Sequence, residues 1–458
     1  MNKITTLAQI CDALSDGLHK APIFNPNGEY LFVNATNLEN GHIVDKGEGK
    51  RADFSEFQKY GIELNDRTIL YSIDGTIGNI AKYRGEKVIL GKGACYLMVN
   101  ESVDPDFIYF LLQSEAFNGY IRKMSTGSTI HHISLETMRN FKFSLPDYED
   151  QKRISSVLMA LENKIHHNTR LTAELESMAK TIYDYWFTQF DFPDADGKPY
   201  RSSGGAMEWN EQLKRSIPKR WHAGQLSDIA NITMGQSPAG ETYNENGDGK
   251  IFYQGCTDFG TRFPVLRVYT TAPTRFAKAG DILMSVRAPV GTLNVAIEDC
   301  SIGRGLAALN SKMGSQLYLW YTLAGFKQLF NVLDGNGTTF GSITKDTLYE
   351  MKVVIPESSV VKAFEEIVQP IEQKIRAAEQ ESRELTKLRD WLLPMLMNGQ
   401  ATVANAEDEP AKVIPFVSKS DTDQRFTAWL QNQGIAARGD IDMQTMREIF
   451  DAMDDDDK

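Results

Sequence analysis

The sequence predicts an α+β protein: two β-rich mixed α/β stretches in tandem, separated by two long helices packed as a coiled coil. Three observations carry this. Apolar residues recur on a heptad across the segment 148–190, at Ile154, Leu158, Leu161, Ile165, Leu175 and Ile182, with no Gly or Pro to break it. A second such row runs through Phe364, Val368, Ile371, Ile375, Leu385, Leu388 and Leu392. Each row closes a globular stretch of similar length, so the chain reads as one unit written twice.

The elements follow in order. Residues 1–146 alternate β-like runs (EYLFVNA, RTILYSI, GEKVILG, ACYLMV) with turns at Gly75, Gly78, Gly85, Gly91 and Gly93. A helix is expected from Asp106 to Lys123, then a polar tract, STGSTIHHIS, a short helix at Leu135–Arg139 and a strand, FKFSLP. Residues 147–190 form the first long helix, which at 1.5 Å per residue would span roughly 60 Å. Asn168 falls on its seam where an apolar residue is expected, and reads either as a register pin or as an opening in the interface. Residues 191–218, rich in Gly, Ser, Pro and Asp, read as an exposed connector anchored at its far end by Trp209 and Trp221. Residues 219–356 repeat the plan, with strands IFYQG, DILMSVRAPVG and LNVAIED, a helix near Gln316–Leu333, the tract DGNGTTFGSIT and the strand KVVIP. Residues 357–400 form the second long helix, which Pro370 is expected to kink or restart, since proline donates no N–H and crowds the preceding turn. Residues 401–458 read as an acidic linker and tail.

Composition limits the function classes. The chain has 458 residues, room for two or three cores, and no apolar run of membrane-spanning length, so no membrane partner is expected. The N-terminal stretch carries Asp12 where a signal peptide would be apolar, and a cytoplasmic location is expected. Cys11, Cys95, Cys256 and Cys300 are scattered without metal-like spacing and read as buried free thiols. The net charge of −12 is concentrated in residues 147–196 (−5) and 401–458 (−7), whereas the two globular stretches carry −2 and +3. Nucleic-acid binding is therefore compatible with the overall acidity if basic groups gather on one face.

No catalytic motif survives inspection. A P-loop is absent, Asn25-Pro26 lacks the aromatic context that holds a flipped adenine, and Asp258-Phe259-Gly260 stands without other kinase elements. His131–His132 and His166–His167 lack a third ligand, and the second pair is expected on the solvated side of the long helix. The chain reads as a non-enzyme with no catalytic residue, no metal and no cofactor of its own.

Binding signals are more specific. Ser125, Gly127, Ser128, Thr129 and His131, flanked by Arg122 and Lys123, recur in type as Asn336, Gly337, Thr338 and Thr339 of the second copy. Small hydroxyl residues beside glycines at a helix end can grip phosphate while neighbours reach base edges. The second copy holds Gln236 and Ser237 in MGQSP, Arg287 in SVRAPVG and Arg304 in SIGRGLAAL, all glycine-containing runs, and an arginine can read guanine bidentately. Internal salt bridges that orient loops are an equal reading for Arg287 and Arg304.

At this point the chain resembles the specificity subunits of type I restriction–modification systems. The resemblance covers about residues 1–400: SLPDYEDQKRISSVLMALENKI with NTRLTAELESMAKTIYDYWFTQF, the connector FDFPDADGKPYRSSGGAMEWNEQLKRSIPKRW, then GDILMSVRAPVG, SIGRGLAAL, NGTTFGSIT and LRDWLLPMLMNGQ. The first stretch departs more, with IDGTIGNIAKY where the second has VRAPVGTLNVA. The resemblance implies two target recognition domains, each reading half of a bipartite, asymmetric site in double-stranded DNA. It implies two adenine-N6 DNA methyltransferase subunits and motor-nuclease restriction subunits as partners, with S-adenosylmethionine, ATP and Mg on those partners. It implies that the two long helices pack as an antiparallel coiled coil and set the spacer, since half-sites in successive major grooves lie about one turn, ~34 Å, apart. From the residues alone, a scaffold with two β-rich ligand-binding modules on a coiled coil remains the rival, as does the recognition half of a nuclease-only split enzyme.

Overall fold

The computed structural model describes residues 3–48, 50–124, 132–335, 342–403 and 435–437. It divides into two compact units, Met1–His167 with Ser382–Lys458 and Asn168–Glu381. The division falls inside both long helices, Tyr148–Tyr183 and Ser358–Met397, so each unit owns one half of each helix.

In the first unit, a four-stranded antiparallel sheet has the order Cys11–Asp16, Ala94–Val99, Thr68–Ser72, Ile80–Lys82. Beside it Tyr30–Val33 pairs in parallel with Val88–Leu90, and Lys3–Thr6 pairs with Lys142–Leu145. The second unit repeats this topology. Its antiparallel sheet runs Ala230–Met234, Leu306–Ser311, Ile282–Ser285, Leu293–Val295. Lys250–Tyr253 pairs in parallel with Cys300–Ile302, and His222–Gln225 pairs with Lys352–Ile355. Strands such as Thr68–Ser72 and Ile282–Ser285 are buried at every residue, which is why they read as apolar runs without alternation.

Each core joins a sheet to its own half of the helix pair. In the first unit Leu7, Ile69, Leu97, Phe107 and Phe110 pack with Ile154, Leu158, Leu388, Leu392 and Leu396. In the second, Trp221, Ile282, Leu309, Tyr318 and Trp320 pack with Ala179, Trp186, Phe187, Phe364 and Val368. In the second unit contacts run to lower numbers on the second helix as they climb the first, from Asn168–Glu381 to Trp186–Phe364, so these halves are antiparallel.

Several expectations need correction. The helix expected at Asp106–Lys123 is two, Pro105–Leu111 and Glu115–Met124, because Ser114 caps a new start by accepting from Phe117 N–H (3.3 Å). Its counterpart Gln316–Gly335 is continuous. The second long helix is not interrupted: it runs 40 residues through Pro370, whose exposed ring sits between buried Val368 and half-buried Ile371. Burial of that face outweighs one missing hydrogen bond. The first long helix ends in a π-helical turn, Asp184–Thr188, which buries Trp186 and Phe187. Residues 191–218 are not uniformly exposed: Phe192 stacks on both Tyr200 and Trp221, and Met207–Asn210 pairs with Arg215–Pro218. Trp221 anchors this segment, whereas Trp209 is 58% exposed. Cys95 and Cys300 are buried, but Cys11 and Cys256 only partly so.

Candidate functional site

The two units share a backbone frame at the point where the strands Thr68–Ser72 and Ile282–Ser285 leave their sheets. Ser72 and Ser285 are buried, and each hydroxyl accepts a backbone N–H from across a tight turn: Asn79 at 2.7 Å and Thr292 at 2.9 Å. Gly78 and Gly291 close those turns with φ of 100° and 80°, a region L-residues avoid, and donate to the carbonyls of Ser72 (3.3 Å) and Ser285 (2.9 Å). The next residues form matching bonds, Ile73 N–H to Gly93 O (3.1 Å) and Val286 N–H to Gly305 O (2.9 Å). Ile133 N–H then reaches Ile73 O (2.9 Å), as Ile343 N–H reaches Val286 O (2.8 Å). The isolated bridges Asp74–His132 and Arg287–Ser342 complete the equivalence.

On this frame the outward side chains differ. In the second unit Arg287 and Arg304 are exposed. The hydroxyl of half-buried Ser237 accepts from Arg304 N–H at 3.2 Å, and exposed Gln236 precedes it. Gln236, Ser237 and Arg304 thus form one group, and Arg287 and Arg304 each stand one residue from the Val286–Gly305 bond. In the first unit the equivalent positions hold Asp74 and Lys92, with Lys92 Nζ 3.9 Å and His132 Nδ1 4.0 Å from the Asp74 carboxylate. Arg122 and Lys123 lie exposed at the end of Glu115–Met124, where Arg122 pairs with Glu115. Ser125, Gly127, Ser128, Thr129, His131, Asn336, Gly337, Thr338 and Thr339 lie outside the described residues.

Asp74 and Lys92 escaped the sequence reading. Setting IDGTIGN against VRAPVGT and GKGACYL against GRGLAAL would have placed them opposite Arg287 and Arg304.

The helix seam is more polar than its heptad suggests. Ile154, Leu158, Phe364, Val368, Ile375, Leu388 and Leu392 are buried, whereas Leu161, Ile165, Leu175, Ile182, Ile371 and Leu385 are half-buried. Beyond residue 381 the buried stripe steps by four, through Glu384, Leu388, Leu392 and Leu396, which turns it away from the row containing Leu385. Asn168 is buried and donates through Nδ2 to Glu381 (2.6 Å). In the first unit Arg389 pairs with Glu162 at 2.9 Å. The second holds an arginine that the sequence reading missed. Arg262, from the sheet-side loop, is 1% exposed, pairs with Glu176 (3.5 Å) and Glu372 on the two helices, and lies 3.7 Å from the Trp320 ring centre. Burial holds the Glu176 carboxyl above its ordinary range despite Arg262. His166 is exposed as expected, yet its ring stacks on His42 at 3.8 Å. Burial, Arg84 and His166 together lower the His42 pKa to about 4. Among the described residues no helix is long and apolar enough to cross a membrane.

Comparison with known proteins decides the family. The type I restriction modification DNA specificity domain matches residues 2–177 and again 218–387. The chain belongs to this specificity family. The two matches correspond to the two copies of the plan, each with its long-helix segment. Similar relatives include the putative type I restriction enzyme MjaX specificity subunit of Methanocaldococcus jannaschii, 29% identical over 362 residues, covering 76% of this chain and 81% of the relative. The type I restriction enzyme HindI specificity subunit of Haemophilus influenzae is 21% identical, covering 65% of this chain and 77% of its own. A crystal structure of the type I restriction-modification system S subunit from M. genitalium shares the fold, with TM-score 0.52 and 18% identity over 87% of this chain and 96% of that one. The shared frame is therefore part of a specificity subunit.

Proposed function

We propose that each unit reads one half of a bipartite, asymmetric site in double-stranded DNA, and that the helix pair sets the spacer. The observation that carries this reading is the pair of backbone frames held by matching hydrogen bonds, with exchanged outward side chains. A common frame places a reader in the groove, and different side chains on it select different bases. Residues 1–146 and 219–356 are the recognition domains. Arg122, Lys123, Gln236, Ser237, Arg287 and Arg304 are DNA contacts, as are the two hydroxyl-rich tracts. The helix segments 147–190 and 357–400 dock two adenine-N6 methyltransferase subunits, and motor-nuclease subunits complete the restriction complex.

Chemistry resides on those partners, with their S-adenosylmethionine, ATP and Mg, and the complex works in the cytoplasm. Partner subunits supply much of the phosphate neutralisation, which reconciles DNA binding with a net charge of −12. Gel shifts test this: the isolated chain is expected to bind DNA weakly and with steep salt dependence, and the complex with methyltransferase subunits tightly. Equal affinity of the isolated chain and the complex at physiological salt would contradict it.

A further inference from the structure

We propose that Asp74 is a base-reading residue of the first unit, the counterpart of Arg287 in the second, and that it selects an exocyclic amino group. This rests on the half-site reading above and names a residue for it. The equivalence is geometric: both residues follow the buried strand by the same step, and both sit on an isolated antiparallel bridge, to His132 and Ser342 respectively. The frame beneath each is held by the same serine-to-turn hydrogen bonds. What changes is the sign of the charge presented.

The chemistry follows from that sign. An arginine offers only donors and matches the two acceptors of guanine in the major groove, whereas a carboxylate offers only acceptors and requires an amino group, cytosine N4 or adenine N6. A bare carboxylate would be repelled by the phosphates. Here Lys92 Nζ stands 3.9 Å from Asp74, close enough to offset its charge but beyond hydrogen-bond range, so the carboxylate keeps its acceptor sites. Asp74 is part exposed, at 31%, and faces no closer cation among the described residues.

The test uses the assembled methyltransferase complex and a panel of duplexes carrying every single-base substitution in its own methylated site. Asp74→Ala is expected to abolish discrimination at one base pair of one half-site, a loss of about 5- to 150-fold, and leave the other half-site unchanged. Asp74→Asn, similar in shape and able to both donate and accept, is expected to shift that position towards adenine. Arg287→Ala in the same assay is expected to relax one position of the opposite half-site. The proposal is overturned if both Asp74 variants keep every base preference, or if they weaken all duplexes equally. Failure of the half-site reading itself looks different: any single variant would then alter both half-sites at once.

Discussion

Replacing Arg262 with methionine probes how a sheet is fixed to its helix pair. The side chain is 1% exposed and joins Glu176 of the first long helix to Glu372 of the second, against the face of Trp320. Removing one partner of a buried ion pair costs about 3–5 kcal/mol, because a charge is left without compensation. Glu372 retains Arg376 at 2.9 Å, so Glu176 is the principal orphan and the ionic cost falls near the lower end, about 3 kcal/mol. Loss of a desolvated cation–π contact contributes up to about 2 kcal/mol, giving a total of about 3–5 kcal/mol. Glu176 already has a raised pKa in the folded state, chiefly through burial, and Arg262 is the group that lowers it. A carboxyl with a raised folded pKa opposes folding once ionised, so its cost is present at neutral pH and recovered as pH falls through the folded value. The Arg262→Met deficit should therefore be smaller at about pH 5 than at about pH 7. Urea unfolding followed by tryptophan fluorescence reads this unit, because Trp186, Trp221 and Trp320 all lie in its core. A deficit under about 1 kcal/mol at neutral pH, or one that grows on acidification, would refute the clamp.

Two further stability predictions follow from the geometry. Asn168→Leu should stabilise the chain by about 1 kcal/mol while loosening helix alignment, since an apolar side chain replaces a buried amide on the seam; destabilisation in urea would rule out a register pin that costs stability. Gly235→Ala should cost about 2 kcal/mol or more, because a Cβ would lie 2.1 Å from the Gly303 carbonyl oxygen, while Gly240→Ala meets open space and should be neutral. Matching melting temperatures for those two variants would show that the close approach is not required.

The long helices and the doubled plan were legible because periodicity and order are properties of sequence alone. The short strands Cys11–Asp16 and Ala230–Met234 were not, since CDALSD and ANITM take their conformation from their partners Ala94–Val99 and Leu306–Ser311. Pro370 misled because a local rule was applied where packing of Phe364 and Val368 decides. Arg262 was invisible for a related reason: in TRFPV nothing distinguishes a buried clamp from a surface arginine until the helices supply Glu176 and Glu372. At the candidate site, Arg304 stood out between glycines and Arg287 within the run SVRAPVG, while Asp74 gains meaning only from its match to Arg287 across the repeat.

The modular reading of DNA meets its most direct test in an exchange of residues 1–146 for the corresponding stretch of another specificity subunit, followed by sequencing of methylated sites in a host carrying the exchanged complex. One half-site should change to that of the donor, with the other half-site and the spacer retained. A change in both half-sites, or in neither, would contradict it.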